Sequence, residues 1–227
     1  MSISVEVWGN YALFSRPELK TERVTYDVMT PSAARGLLES IFWHPGMSYI
    51  IDRIHVCAPI HLTNVRRNEV RIPVPKIARS EGVAAKMADE RTARLEPLYI
   101  EGDIRQQRAA LILQDVRYVI DAHFVMTRKA KPEDNYNKFL DIITRRVAKG
   151  QYYSQPYFGC REFPAHFKPC ETIPPCPDEL KGERDLGLMA WDMDYSNPQN
   201  IKGLFFRAKM VDGVIEIPTR DSGEVYG

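Results

Sequence analysis

The chain has 227 residues, of which 44% are hydrophobic and 27% are charged. This mixture is ordinary for a globular domain and excludes a disordered, collagen-like or coiled-coil protein. The longest uncharged apolar runs, such as 47–51 and 109–113, are too short for a membrane span of about 20 residues. The first residues alternate like a strand and carry no export signal, and four cysteines are too few for a disulfide scaffold. We therefore expect a cytoplasmic, reduced and soluble protein.

Charge is distributed unevenly along the chain, although the net charge is only +1. Residues 53–149 hold 19 lysines and arginines against 12 acidic residues, whereas the remaining segments hold 12 basic and 18 acidic residues. The stretch 66–94 alone carries eight basic residues against four acidic ones. Such a stretch is typical of a polyanion site, since lysine and arginine neutralise phosphates; the alternative is a solvated surface loop.

The N-terminal part of the chain shows strand, helix and strand patterns in turn. Residues 2–8 alternate apolar and polar side chains, which predicts a half-buried strand, and 24–29 is a second extended candidate. Thr30 followed by a proline predicts a helix start, and the helix is expected to continue to about Trp43. Residues 47–62 are rich in Ile, Val and Tyr, which predicts one long strand or two shorter ones.

The middle of the chain begins with an interruption. Residues 66–97 lose all clear periodicity, which favours a functional insertion without a core of its own. Strand runs are predicted at 98–113 and 116–126. A second helix is predicted from Pro132 to Gly150, because apolar residues recur there at helical spacing. Its apolar side consists of Tyr136, Phe139, Leu140, Ile143 and Val147.

The C-terminal part is predicted to be rich in short strands. These strands are expected at 152–163, 187–192, 204–210 and 214–218. The predicted fold class is α+β: a ferredoxin-like (RRM-like) antiparallel sheet domain over residues 1–168 with a basic insertion at about 66–97, and a small β-rich C-terminal region over 169–227. Several RNA-binding modules have this shape and bind nucleotides on the open sheet face.

No motif for cofactor chemistry stands out. The sequence contains no phosphate-binding glycine loop, no dinucleotide fingerprint and no HExxH zinc pattern. Cys160, Cys170 and Cys176 lie near His166 in the sequence, but their spacing includes no CxxC pair, so structural thiols are favoured over a zinc site. We expect the protein to use neither a metal nor another cofactor.

Two long segments resemble one family of CRISPR-associated proteins. Residues 5–45, VEVWGNYALFSRPELKTERVTYDVMTPSAARGLLESIFWHP, contain a G-x-YALF strand turn and a P-S-x-x-x-G-L-L-E-S-I-x-W helix. Residues 145–165, RRVAKGQYYSQPYFGCREFPA, contain a basic helix that continues into K-G-Q…P-Y-x-G-C-R-E-F. Both segments are similar to the Cas-five group of RAMP proteins, in the type I-C (Dvulg) subtype. The resemblance extends over residues 2 to about 218.

The resemblance implies a fold, an activity and partners. It implies a ferredoxin-like domain, a hairpin or insertion that grips RNA, and a small β-rich C-terminal part. It also implies a metal-independent endoribonuclease that cuts the repeat hairpin of precursor CRISPR RNA and then stays bound to the 5′ handle. The implied partners are CRISPR repeat RNA and the backbone and large subunits of the type I-C surveillance complex.

The resemblance also implies a catalytic site, from which this chain departs at two positions. The family uses a tyrosine at the end of the first helix and a Lys-His pair in the later helix, which correspond to Phe42 and to Lys138-Phe139. Phenylalanine cannot exchange a proton, so the acid–base work of 2′-hydroxyl attack would pass to neighbouring residues. The lysine would steady the charged phosphorane. The candidate catalytic residues are Lys138, His44, Tyr136 and His123.

Each candidate also has a purely structural interpretation. His44 could cap the first helix, and Tyr136 could belong to the core. His123 could face the same cleft as the others or be a sheet histidine with a satisfied partner. Lys138 could be an ordinary exposed helix lysine.

The basic residues supply the candidate RNA-binding set, and three functions stay open. The first is the endoribonuclease, the second a non-catalytic RNA-binding subunit, and the third a module that binds duplex DNA. The two phenylalanines favour the second, and the basic stretch fits the third equally well. The candidate RNA-binding residues are Arg66, Arg67, Arg71, Lys76, Arg79, Arg145 and Arg146.

Overall fold

A computed structural model describes residues 2–19, 22–70, 102, 105–197 and 199–227. The chain forms two compact units, one of Met1–Thr63 with Leu111–Gly227 and one of Asn64–Ala110. Most of the predicted basic insertion lies outside the described residues. None of the helices in the described part is long and apolar enough to cross a membrane. The candidates Arg71, Lys76 and Arg79 also lie outside the described residues.

The first unit is built mainly from strands, with two helices between them. The strands are β1 (Ile3–Ala12), β2 (Arg23–Val24), β3 (Met47–Val56), β4 (His61–Val70), β5 (Arg105–Met126), β6 (His166–Pro169), β7 (Glu183–Asp194), β8 (Lys202–Val211), β9 (Val214–Glu216) and β10 (Val225–Tyr226). The helices are α1 (Pro31–Ile41) and α2 (Tyr136–Lys149). The last residues of β4 and the first residues of β5 belong to the second unit.

The strand order confirms the predicted α+β class. Four strands lie in the order β6-β1-β5-β3, and every pairing among them is antiparallel. With α1 after β1 and α2 after β5, this is the connectivity of a ferredoxin-like sheet. Strands β9, β8 and β10 extend the sheet beyond β3, β7 pairs with β8, and β2 and β4 each pair with β5.

Helix α1 begins at the predicted residue, whereas α2 ends at the predicted glycine but begins at Tyr136 rather than at Pro132. The Thr30 side chain accepts a hydrogen bond from the backbone N–H of Ala33, and Pro31 occupies the first turn of α1. The side chain of Asn135 caps α2 by accepting from the N–H of Lys138 at 2.8 Å. Helix α2 ends at Gly150, which takes the left-handed φ of 63° that glycine adopts without steric cost.

The two faces of the central sheet have different characters. On β5 the rings of Tyr118 and Phe124 are buried, and Phe124 packs against residues of α2, so the even positions of this strand face the helices. Because side chains alternate along a strand, Asp121 and His123 lie on the opposite face. On β1, Val5 lines a cavity together with α2, which places the even positions of β1 on that opposite face as well.

Several predicted element bounds differ from the structure. Residues 152–163 were expected to form a strand, but they are irregular, with one isolated bridge between Tyr157 and Pro164. Their backbone groups form hydrogen bonds with distant residues rather than with a neighbouring strand. The N–H of Tyr153 donates to the carbonyl of Ser40, and the carbonyl of Phe158 accepts from the N–H of Leu13. The strand in this region is β6, which follows the irregular segment.

The predicted interruptions and boundary also fall elsewhere. Strand β4 continues through residues 66–70, where periodicity was expected to end, and its exposure alternates along its length. Strand β5 is continuous through Asp115, at which two runs were expected to separate. The predicted domain boundary at residue 168 lies within β6, and the C-terminal strands join the same sheet through the pairing of β9 with β3.

Candidate functional site

The C-terminal end of α1 meets the first turns of α2 in a cluster of rings. The centroids of Phe42 and Phe139 lie 5.9 Å apart, and that of His44 lies 4.8 Å from Phe139. Phe42 is 7% exposed and Phe139 is 1% exposed. Phe42 and Phe139, the positions at which the resemblance implies a catalytic tyrosine and histidine, therefore lie together, but both rings are packed into the core.

Charged groups surround this cluster. The Nζ of Lys138 lies 3.2 Å from Oδ1 of Asp134 and 6.0 Å from the ring centroid of Phe139. The other carboxylate oxygen of Asp134 accepts from the N–H of Lys131 at 3.0 Å and lies 3.7 Å from Nδ1 of His44. Asp134 thus connects the candidate cation with the candidate proton carrier. The hydrogen bond from Lys131, with Lys138 and His44 adding to it, lowers the pKa of this carboxyl.

The surroundings of His44 suit a proton carrier. The backbone N–H of Gly46 donates to Nδ1 at 3.0 Å, which favours the neutral tautomer that carries its proton on Nε2. The same Nδ1 lies 3.7 Å from the Asp134 carboxylate. The side chain of His44 is 28% exposed, so the imidazole is accessible to a ligand.

Tyr136 lies deeper in the same region. Its ring stacks on Phe124 of β5 with centroids 4.4 Å apart and an angle of 20° between the planes. The residue is half-buried at the first position of α2. This stacking makes Tyr136 a neighbour of the ring cluster.

His123 is separated from the other candidates by the sheet. Its Nδ1 lies 2.8 Å from Oδ1 of Asp52 on β3. The adjacent residue Phe124 faces the helices, so His123 faces away from Lys138. This placement matches the alternative of a sheet histidine with a satisfied partner.

A groove of about 900 Å³ opens beside His44. It is lined by the end of α1 and by the irregular segment that follows α2. Trp43 is 58% exposed and Tyr153 is 85% exposed, which is unusual for large aromatic side chains in a folded domain. Arg161 lines the same groove and supplies a cation. Exposed rings beside a cation are the side chains on which bases of single-stranded RNA stack.

The basic candidates have different environments. Arg66 is exposed and Arg67 is half-buried on β4, and both belong to the second unit. Arg145 is exposed on α2. Arg146 donates to the carbonyl of Ile41 at 2.6 Å, and its guanidinium lies 5.2 Å from the ring centroid of Phe42. Arg146 therefore stabilises the end of α1 beneath the ring cluster.

Sequence reasoning missed Asp134, Trp43, Tyr153 and Arg161. An aspartate four residues before Lys138 at a helix start was a usable signal for the Asp134 ion pair. The KGQYYSQPYFGCREF segment was a usable signal for the groove, but its prediction as a strand hid the exposure of Tyr153. No local pattern indicates that this segment folds against the end of α1.

The cysteines and histidines of the described residues form no metal centre. All four cysteines are free thiols. No group of three or more His, Cys, Asp or Glu side chains in the described ranges is arranged to hold a metal ion. Burial raises the pKa of the Cys57 thiol to about 11.

A family model and two relatives match nearly the whole chain. The family model Cas_Cas5d, described as "CRISPR-associated protein (Cas_Cas5)", matches residues 2–218. A protein of Mannheimia succiniciproducens named "CRISPR pre-crRNA endoribonuclease Cas5d" is 46% identical and aligns with 98% of this chain and 97% of its own length. A protein of Thermus thermophilus with the same name is 38% identical, with 99% and 94% covered.

Two solved structures share the fold. A crystal structure of a CRISPR-associated protein has a TM-score of 0.67 at 21% identity, with 100% of this chain and 97% of that chain covered. A functionally uncharacterized protein from Streptococcus mutans has a TM-score of 0.67 at 19% identity, with the same coverage. The matched length and the identity to two Cas5d proteins establish that this chain belongs to the Cas5 family of CRISPR-associated proteins, in its Cas5d branch.

Proposed function

We propose that this chain is a metal-independent endoribonuclease of precursor CRISPR RNA. It cuts the repeat hairpin and stays on the 5′ handle as a cytoplasmic subunit of the type I-C surveillance complex, with the backbone and large subunits as partners. The observation that carries the proposal is the identity, over nearly the whole chain, to two proteins named as pre-crRNA endoribonucleases. The cluster around Lys138 and His44 supports it.

The proposed reaction needs a base, an acid and a cation. The 2′-hydroxyl loses its proton and its oxygen attacks the adjacent phosphorus; the bond from phosphorus to the 5′ oxygen breaks, and that oxygen takes up a proton. The products are a 2′,3′-cyclic phosphate and a 5′-hydroxyl. Lys138 is the cation that stabilises the extra negative charge of the phosphorane. His44 is an accessible imidazole beside Lys138 and Asp134, which suits it to the acid–base role.

The groove beside His44 supports a single-stranded substrate at the cut. Bases that flank the scissile phosphate would stack on Trp43 and Tyr153, and Arg161 would meet a phosphate. Such contacts hold the reacting atoms in line, which is a large part of what an enzyme without a metal must supply.

A second candidate function is a non-catalytic RNA-binding subunit. The burial of Phe42 and Phe139 favours it, because these positions carry no ionisable group and do not face solvent. In this case His44 and Lys138 would bind a phosphate without activating it. The presence of a separate processing nuclease among the neighbouring genes would favour this candidate.

We expect cleavage of the chain's own repeat RNA to persist in excess EDTA. The proposed reaction uses side chains for proton transfer and charge stabilisation, so chelation removes nothing that it needs. Mapping of the ends should give a cyclic phosphate and a 5′-hydroxyl at one position. Complete loss of cleavage in EDTA with recovery in magnesium would overturn the proposed mechanism, and binding without cleavage under all conditions would leave the RNA-binding subunit.

We expect the combined change of Arg66, Arg67 and Arg71 to alanine to weaken repeat binding and to flatten its salt dependence. Each phosphate contact that is lost should reduce the log–log slope of affinity against salt by roughly 0.7 to 0.9. The measurement is a titration of labelled repeat RNA between low and moderate salt. An unchanged slope would show that these arginines are solvated and do not contact RNA phosphates. Lys202→Ala, in the C-terminal strands, is a matched basic control that should leave the slope unchanged.

A further inference from the structure

A second cluster of aromatic and basic side chains lies on the sheet face opposite the helices. Trp8 on β1 pairs in register with His166 on β6 and with Arg117 on β5, so the three side chains share one face. The rings of Trp8 and His166 stack with centroids 5.8 Å apart and an angle of 25°. The Nζ of Lys168 lies 5.6 Å from the ring centroid of Trp8.

A buried carboxylate holds the two cations of this cluster in place. Oε1 of Glu6 accepts from Arg117 at 2.6 Å, and its other oxygen lies 3.2 Å from Nζ of Lys168. The Glu6 side chain is 6% exposed, whereas those of Arg117 and Lys168 are 43% and 53% exposed. Burial raises the pKa of Glu6, but the two cations outweigh that effect and lower it below the ordinary value.

This arrangement presents positive charge outward. The carboxylate is buried and each of its oxygens is paired with a cation, while the side chains of the two cations are about half exposed. Two cations on one carboxylate leave a net positive charge at this surface. A carboxylate that orients two half-exposed cations beside a half-exposed indole prepares them for an anionic ligand that also has a flat ring.

A cavity of about 480 Å³ adjoins the cluster. Trp8, Arg117 and Lys168 line it, together with Asn10 and Asp115, both of which are exposed. Asp115 has a φ of 52°, a left-handed conformation that aspartate tolerates better than most residues. The amide and the carboxylate can accept hydrogen bonds from ring amino groups, and the volume is within the usual range for small-molecule sites.

We propose that this cluster is a binding subsite for one nucleotide of single-stranded RNA, separate from the cluster at His44. The base stacks on the Trp8–His166 pair, Lys168 and Arg117 bind the phosphate, and Asn10 and Asp115 meet the edge of the base. The proposal rests on the proposed function for the identity of the nucleic acid as RNA, but it does not require cleavage. Glu6 is a positioning residue that acts through the two cations.

The test is binding of a fluorescently labelled single-stranded RNA hexamer to the full chain, measured by anisotropy. Trp8→Ala should weaken binding about tenfold, which is the scale of one lost stacking contact. Trp8→Phe keeps a ring and should retain most of the affinity. Tyr195→Ala removes another exposed aromatic side chain and should have no effect, and thermal unfolding of each variant establishes that it is folded.

Charge is tested separately with matched lysines. Lys168→Gln should lower the log–log salt slope by about 0.7, as expected for one contact to a single strand. Lys209→Gln is the control, since Lys209 also forms an exposed ion pair, at 3.1 Å to Glu183. Equal binding by wild type, Trp8→Ala and Lys168→Gln would overturn the proposal. A duplex that competes as well as the hexamer would overturn the stacking role.

The outcome for this subsite can be read apart from the outcome for the nuclease. Trp8→Ala should raise the RNA concentration that gives half-maximal cleavage, in line with its loss of binding, because Trp8 lies on the other face of the sheet from His44 and contributes through the subsite. Weaker binding by Trp8→Ala in a protein that never cleaves would support the subsite and overturn the nuclease. Normal cleavage together with unchanged binding would support the nuclease and overturn the subsite.

Discussion

Lys138→Ala is expected to lower the single-turnover rate of repeat cleavage by about a hundredfold or more, the usual scale for one electrostatic stabiliser. The Lys138 side chain is 45% exposed and is paired with Asp134, so its ammonium can move from that carboxylate to a phosphate. The phosphorane carries more negative charge than the ground state, and a cation at this place therefore acts mainly in the transition state. Repeat binding, which has many phosphate contacts, should weaken far less.

Two further variants serve as controls for Lys138→Ala. Lys149→Ala removes an exposed lysine from the last turn of the same helix and should leave the rate unchanged. Lys138→Arg retains the charge on a different geometry and should recover part of the lost rate. A loss of rate no greater than the loss of binding, or an equal loss from Lys149→Ala, would show that Lys138 is an ordinary exposed lysine without a role in the transition state.

The helices and the sheet class were predictable because their signals are local. Thr30 with its following proline, Asn135 and Gly150 each satisfy or stop a helix through their own geometry. The irregular conformation of residues 152–163 was not predictable, because the segment is rich in aromatic residues, which favour strands. Their backbone groups are satisfied by Ser40 and Leu13, which are distant in sequence, so tertiary contacts decide the conformation.

The sequence named candidate site residues but not the contacts between them. Lys138 stands where the resemblance implies a lysine and His44 lies two residues beyond Phe42, and in the structure Asp134 contacts both. The alternation of side chains along β5 could have shown that His123 faces away from these residues. The adjacent Phe124 is apolar and faces the helices, so His123 faces the other side of the sheet. The burial of Phe42 and Phe139 depends on how α1 meets α2, which no single segment specifies.

His44→Ala is expected to reduce cleavage by about a hundredfold or more, whereas restoring the family residues is expected to gain little. General acid–base catalysis contributes about 10² to 10⁴ in rate, and the imidazole of His44 lies 4.8 Å from the ring of Phe139. Phe42→Tyr with Phe139→His places polar groups at sites that are 7% and 1% exposed. A buried group without a partner costs about 1–3 kcal/mol, so the double variant should unfold more easily and not cut faster.

The measurements are single-turnover rates for both variants and thermal unfolding for the double variant. His61→Ala is the matched histidine control, because His61 is exposed on β4 and should leave the rate unchanged. Added imidazole should restore part of the rate to His44→Ala, since the groove of about 900 Å³ leaves room for it and a merely structural role would not respond. A gain of more than tenfold from the double variant, together with no loss from His44→Ala, would show that the proton carriers belong at positions 42 and 139. The wild-type chain would then be a weakened nuclease whose main role is to bind its RNA.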